Sequence, residues 1–365
     1  MTGDGDGGTE RWSVETGDWV KSSPTVVDGT VYVGSGDGHV YALDASEGDE
    51  QWRFETGNSV RSSPAVADGT VFVGSKDDHV YALDASDGGE RWRFETDSWV
   101  VSSPTVADGM VYVGSNDERV YALDAADGSE RWRFEASHWV TASPAVVDGT
   151  VYVGSNDERG DPRQSLVGFY ALDAAAGTPR WVHETRFSSP GSATVADDTV
   201  LVATDGATLY GLAVADGEVC WPVSASSGEP AVVRGQSIPT IAEDTVFIAA
   251  GSELRALSLS ALGTDRSPLR WRYGTDLTIS SSATVAGDAV FIGSNDGRVH
   301  AVDAADGTER WRFRTDDMVY SAPTVVDGTV YVGSNDGRVY ALDAGVSGSS
   351  RDTRVRQRIL GHHDR

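Results

Sequence analysis

Eight tryptophans recur at a period of about 40 residues, and that period restricts this chain more than any other feature. Trp12, Trp52, Trp92 and Trp132 stand 40 apart, and Trp181, Trp221, Trp271 and Trp311 follow after spacings of 49, 40, 50 and 40. Self-similarity at such a period marks a repeat architecture, in which each unit is one supersecondary element unable to bury its apolar faces alone. Residues 63–96 show the grammar of a unit. Ser-Pro-Ala-Val-Ala precedes Asp68-Gly69, Thr-Val-Phe-Val-Gly-Ser precedes Lys76-Asp77-Asp78, and His-Val-Tyr-Ala-Leu-Asp-Ala precedes Ser86-Asp87-Gly88 and Glu-Arg-Trp-Arg-Phe-Glu-Thr. Val, Ile, Tyr, Phe and Thr fill four short strands, and Asp-Gly pairs supply residues that tolerate φ > 0 in tight hairpins. No stretch reads as a substantial helix.

Eight such sheets need neighbours on both faces, and a closed ring supplies them. A linear stack would need polar caps, yet the first and last units are as apolar as the rest. The termini point the same way. The last unit ends at Val339-Tyr340-Ala341-Leu342-Asp343-Ala344 with no Trp strand after it, while the chain opens with Asp6-Gly7-Gly8-Thr9-Glu10-Arg11-Trp12, nearly a copy of Asp306-Gly307-Thr308-Glu309-Arg310-Trp311. The N-terminal strand is therefore expected to complete the last blade and remove the free edge. The expectation is an all-β, eight-bladed propeller of four-stranded antiparallel blades over residues 9–344. A flexible N-terminus at 1–8 and a basic, disordered tail at 345–365 complete the expected organisation.

The segment Ala-x-Asp-x-x-x-Gly-x-x-x-Trp resembles the tryptophan-docking motif of the pyrroloquinoline-quinone-like (PQQ-like) repeat family. Five copies are complete: Ala42, Asp44, Gly48, Trp52; Ala82, Asp84, Gly88, Trp92; Ala122, Asp124, Gly128, Trp132; Ala171, Asp173, Gly177, Trp181; and Ala301, Asp303, Gly307, Trp311. Gly211-Leu212-Ala213 lacks the Asp, and extra residues follow Ala256-Leu257-Ser258, so two distorted blades are expected. The resemblance implies that the eight repeat-ending tryptophans are structural, wedged between adjacent blades. The family includes quinoprotein dehydrogenases, which hold the quinone over the channel with calcium, a catalytic Asp, a stacking Trp and a disulfide of adjacent cysteines. Cys220 is alone here, so that disulfide cannot form. No cofactor and no metal site is expected.

Charge bounds the partners. The chain carries 56 acidic against 29 basic residues, a formal net charge of −27, and its only lysines are Lys21 and Lys76. Such a field repels nucleic acid and anionic lipid. Carboxylates dispersed over every repeat resemble the composition of proteins adapted to molar salt, where screening over about 3 Å removes the self-repulsion. The start lacks the basic and apolar regions of a secretory signal, and no run approaches about 18 apolar residues, so no direct membrane insertion is expected. The seven histidines fall at turns, strand starts or the tail without a nucleophile motif, and the Asp turns lack the alternating ligands of a calcium loop.

Departures from the repeat are where sites are expected. Residues 158–168 and 224–237 lengthen connections on one face, termed the top, and 258–268 lengthens one on the opposite face. Trp19, Trp99 and Trp139 recur in connections entering the first, third and fourth blades, near Lys21, Arg61, Arg186 and Arg234. With Arg61 they form a candidate partner-binding rim, although a Trp repeated in register can equally pack on its own blade. The resulting expectation is a monomeric, non-catalytic module that binds another protein, resembling the assembly lipoprotein and sensor propellers of the family. A PQQ-dependent oxidoreductase and a carbohydrate- or small-ligand-binding propeller are the rival classes.

Overall fold

The computed structural model describes residues 7–156, 167–185, 190–204, 208–224 and 238–350. Strands within them form eight four-stranded antiparallel sheets, each paired in sequence order except the last. Blades 1 to 7 span residues 25–55, 65–95, 105–135, 145–185, 190–224, 240–274 and 284–314. Blade 8 combines strands Thr324–Val326, Thr329–Gly333 and Arg338–Asp343 with the N-terminal strand Glu10–Glu15. That strand pairs antiparallel from Glu10 opposite Leu342 to Glu15 opposite Arg338. The innermost strands touch one another in an unbroken circuit that returns from blade 8 to blade 1, so the sheets close into a ring.

The pairing at the termini also assembles an eighth docking motif from two pieces. Ala341 and Asp343 come from one end of the chain, Gly8 and Trp12 from the other. Within blade 1, Gly48 N–H donates to Asp44 and Asp44 N–H to Asp49; across the termini, Gly8 donates to Asp343 and Asp343 to Thr9 in the same way. The packed unit thus runs past the expected bounds of 9 and 344. Gly8 lies beneath the Trp311 ring, and Val346 packs on the blade 7–8 core. Ser350 N–H donates to the Val325 carbonyl, and Ser350 Oγ accepts from Val325 N–H. The remainder of the expected tail, 351–365, lies outside the described residues.

Cores form between blades. Each joins strands of one sheet to those of the next, as where Phe72, Ala82 and Trp92 of blade 2 meet Val111, Tyr121 and Leu123 of blade 3. Two faces of each sheet are thereby buried, which explains why the middle strands are apolar along their length, Thr30–Gly34 being buried at every position. The outer strands alternate instead, with Trp52 the buried residue of Glu50–Glu55.

The segment entering each innermost strand, Ser-Ser-Pro-Thr in the first and third blades and a variant of it in the others, stitches neighbouring blades together. The first serine accepts from a buried glycine N–H of its own blade, as Ser22 does from Gly34 at 3.1 Å and Ser62 from Gly74. The second joins neighbours: Ser23 N–H donates to Ser63 Oγ, Ser63 to Ser103, Ser103 to Ser143, and Ala322 back to Ser23. The threonine donates to the next blade's proline carbonyl, Thr25 to Pro64 at 2.6 Å and Thr324 to Pro24 across the closure.

The inner hairpin turns take the expected form. Asp28 has φ 48° and Gly29 φ 77°, and acidic residues with φ near +50° fill the equivalent position of every blade but the seventh, where Gly287 stands. The two blades expected to be distorted are not. Both keep four strands and the one-residue shift, at Gly211/Leu212 and Ala256/Leu257, that the other blades show before the docking Trp. The extra residues near 260 form a 3-10 turn, Leu259–Ala261. It delivers Gly263, φ +74°, to the ring of Trp221.

Candidate functional site

Seven of the eight docking tryptophans are buried and hydrogen-bonded to the next blade. Trp12, Trp52, Trp92, Trp132, Trp271 and Trp311 each donate Nε1–H to an alanine carbonyl of the next blade at 2.9 to 3.1 Å, as Trp52 does to Ala85. Trp181 donates to Val214 at 2.8 Å. Trp221 is only half-buried and lies against Gly211 and Gly263.

The top face is built differently. Each connection from an outer strand to the next inner strand is held between two neighbouring turns. Val60 N–H donates to Ser35 of the preceding blade, while Lys76 N–H donates to Ser59. Close approach is enforced by glycine: a Cβ on Gly34 would lie 2.3 Å from Val60 Cγ1, and Gly74 faces Val100 at the same distance. With the backbone fixed in this way, two positions per blade remain at the surface of the top, and a third faces them from the adjoining turn, where Asn116 and Asn156 are buried. The first reads Trp19, Ser59, Trp99, Trp139, Thr278 and Met318 in blades 1 to 4, 7 and 8. The second reads Lys21, Arg61, Val101, Thr141, Ser280 and Tyr320. The third, in the facing turn, reads Gly36, Lys76, Asn116, Asn156, Asn295 and Asn335.

These positions bring most of the sequence-derived candidates together and change their meaning. Trp19 rests on Gly36, where a Cβ would meet its ring at 2.5 Å, and the Lys21 ammonium sits 4.7 Å from its centroid. The same ammonium lies 5.0 Å from the Tyr320 ring of blade 8. Lys76 takes the corresponding place over Trp99, at 4.7 Å. Both lysines of the chain are therefore mounted on aromatic rings at one end of the channel. Arg61 belongs to the same cluster. Burial, and then the positive charges of Arg61 and Lys76, hold Lys21 below the ordinary lysine range against the opposing pull of Asp18 and Asp317.

Trp139 is half-buried and bridges to Asn156, whose N–H donates to its carbonyl at 2.7 Å. It carries no lysine. Arg186 and Arg234, and the lengthened connections at 158–166 and 225–237, lie outside the described residues. Three of the six exposed large apolar side chains among the described residues lie on the same face, the other three being on outer strands. Trp99 is 45% exposed, Leu277 53% and Met318 37%, all in connections entering innermost strands.

One polar cluster escaped the sequence reading. His300 is not at a turn or strand start but inside the strand Arg298–Asp303, and it is buried. Its Nε2 lies 3.2 Å from Asp296, and its Nδ1 2.9 Å from the Tyr273 hydroxyl of blade 6, which also reaches Glu309. In four other contacts the pair is Phe and Tyr, as in Phe54 against Tyr81, whose hydroxyl donates to Asp77 at 2.8 Å. Comparing units position by position would have found this exchange. Among the described residues, no three His, Cys, Asp or Glu converge as a metal site, and no helix is long and apolar enough to cross a membrane.

A family model described as the outer membrane protein assembly factor BamB matches residues 2–63, 52–168, 165–273 and 258–349. The chain belongs to this PQQ-like repeat family. Among solved structures, BamB from Moraxella catarrhalis aligns with a TM-score of 0.71 at 20% identity, covering 92% of this chain and 97% of that one. The computationally designed Ika8 protein gives 0.77 at 17%, covering 92% and 100%. Quinohemoprotein alcohol dehydrogenase from Comamonas testosteroni gives 0.78 at 18%, covering 94% and 77%. At these identities the likeness is one of fold, shared by a BamB and a quinoprotein dehydrogenase alike. No curated protein matches this PQQ-like propeller in sequence.

Two of the three top-face tryptophans already bear an ammonium on a ring face. Trp19 is packed on Gly36 and carries Lys21, and Trp99 carries Lys76.

Proposed function

We propose that this protein is a non-catalytic interaction platform that engages a partner protein with its top face. The observation that carries this reading is the uneven use of the repeat. Core, docking and inner-turn positions repeat almost residue for residue, whereas of the top positions the second differs in each of blades 1 to 4, 7 and 8 and the first changes among Trp, Ser, Thr and Met. The first of these positions places Trp99 and Met318 in water at one end of the channel, and Leu277, one residue before it, is exposed beside them. Exposed aromatic and apolar side chains grouped on one face of a protein are the usual substance of interface hot spots. Membership of a family whose model is described as an assembly factor supports protein binding over chemistry.

The test is capture of partners from native lysate by the wild type and by a variant carrying Trp99→Ala, Leu277→Ser and Met318→Ser. The control variant carries Val182→Ser and Leu269→Ser on the outer strands, where both residues are also exposed. The expected result is that specific partners are lost only from the top-face variant. Equal capture by all three would remove the assignment to this face. Saturable binding of PQQ with calcium at micromolar concentration would replace the platform with an oxidoreductase.

A further inference from the structure

We propose that Lys21, Arg61 and Lys76 form a seat for an acidic, extended segment of the partner protein, whose carboxylates they take at the rim of the channel. This rests on the top-face reading and names the chemistry of what docks there.

Three observations carry it. The first is placement. In a chain with a net charge of −27, both lysines and one arginine stand in adjacent blades on one face. Lys76 occupies a position that is Asn in four other described blades. The second is how the cations are held. Arginines of the outer strands are ion-paired within their own blades, as Arg91 is to Asp84 and Arg180 to Asp173. Among the described residues, neither Lys21 nor Arg61 has a carboxylate within ion-pair distance. Lys21 is held by the Trp19 and Tyr320 rings instead, and rings fix an ammonium without neutralising it. The third is mutual repulsion. Arg61 and Lys76 add to burial in holding the Lys21 pKa down, against Asp18 and Asp317, so the three cations lie within one another's field and an anion placed among them is attracted by all three.

The surroundings select the ligand. Asp18, Asp77, Asp97 and Asp317 lie on the same connections and turns, so the positive patch is small and bounded by carboxylates. Nucleic acid presents a charge at every step and would meet those carboxylates on leaving the patch. A peptide with a few acidic side chains can place them on the three cations and turn its backbone elsewhere. Trp99, nearly half exposed beside Lys76, supplies apolar contact for the same chain.

The composition itself provides the probe. Reductive dimethylation with 13C-formaldehyde keeps the charge and labels Lys21 and Lys76 as the only lysine signals of the full chain. Titration with a tetraglutamate peptide, in buffer where the Debye length is about 4 Å, should shift both resonances together and to saturation. Tetraglutamine, free glutamate and a tetrathymidylate at the same concentrations should not do so. Arg61→Gln should weaken tetraglutamate binding roughly tenfold while leaving both lysines in place, because one charge-assisted contact is lost. Absence of a saturable shift overturns the proposal, as does an equal response to tetraglutamine, free glutamate or tetrathymidylate, or an unchanged affinity in Arg61→Gln. A negative result here leaves the platform reading to stand or fall on partner capture by the variant at Trp99, Leu277 and Met318, which is a separate measurement.

Discussion

At the scale of single residues, two glycines with the same backbone conformation separate what φ requires from what packing requires. Gly29 has φ +77° and open space around a would-be Cβ, with nothing within 4 Å. Gly88 has φ +74°, but a Cβ there would lie 2.7 Å from the Trp52 ring. Gly29→Ala should cost about 1 kcal/mol, the penalty of an L-residue in the left-handed region. Gly88→Ala should cost about 2–4 kcal/mol, because displacement of the docked indole adds to that penalty. Chemical denaturation of both variants checks the difference, and equal costs would mean that the indole yields freely. The docking motif reads correctly from sequence as Gly-x-x-x-Trp, since both demands are local. The opposite holds for Trp19 and Trp99. Their exposure and their lysines depend on Gly36 and on Lys76 of the blade before, which no local pattern announces.

At the scale of elements, the contact between blades 6 and 7 places Tyr273 and His300 where four of its equivalents have a Phe–Tyr pair. Burial holds His300 below the ordinary histidine range, outweighing the upward pull of Asp296 and Glu309. Folded His300 therefore binds a proton more weakly than the unfolded chain does. Its contribution to stability is full above the ordinary histidine pKa and falls as pH drops through it. Between pH 8 and pH 5.5 the wild type should lose more stability than His300→Gln, measured by denaturant unfolding at each pH. The reverse ordering would show that Asp296 and Glu309 hold the imidazolium instead. Strand number and order were legible because each strand alternates or runs apolar between Asp-Gly turns. The Ser-Ser-Pro-Thr stitch was not: a strand-entry segment rich in serine reads as a loop until Ser63 of blade 2 is seen accepting from Ser23 of blade 1.

At the scale of the molecule, closure and charge dominate. Deleting residues 1–16 removes the outer strand of blade 8, the Trp12 that docks on blade 1 and the Gly8 beneath Trp311. A ring opened in this way loses its cooperative circuit, so the melting temperature should fall substantially. An unchanged melt would mean that the termini are not paired in solution. Charge acts on the whole surface. Its ion pairs are mostly exposed and individually weak, whereas the repulsion implied by a net charge of −27 is collective. Raising KCl from about 0.1 M to 1 M shortens the screening length from about 10 Å to 3 Å, and stability should rise with it. Maximal stability in dilute buffer would contradict the salt-adapted composition.

By itself the sequence determined the period, the four-strand unit, the number of blades and the closure by the N-terminus. Each follows from patterns within one unit, or from matching one end of the chain to the other. Tertiary structure alone decided the split motif shared by Asp343 and Gly8, the inter-blade serine ring, the buried partners of His300, and the gathering of Lys21, Arg61 and Lys76. The physical reason is that a propeller brings together residues one or more whole repeats apart. Distances along the chain then say which residues share a unit, while contacts that make a site arise between units and depend on how the ring turns.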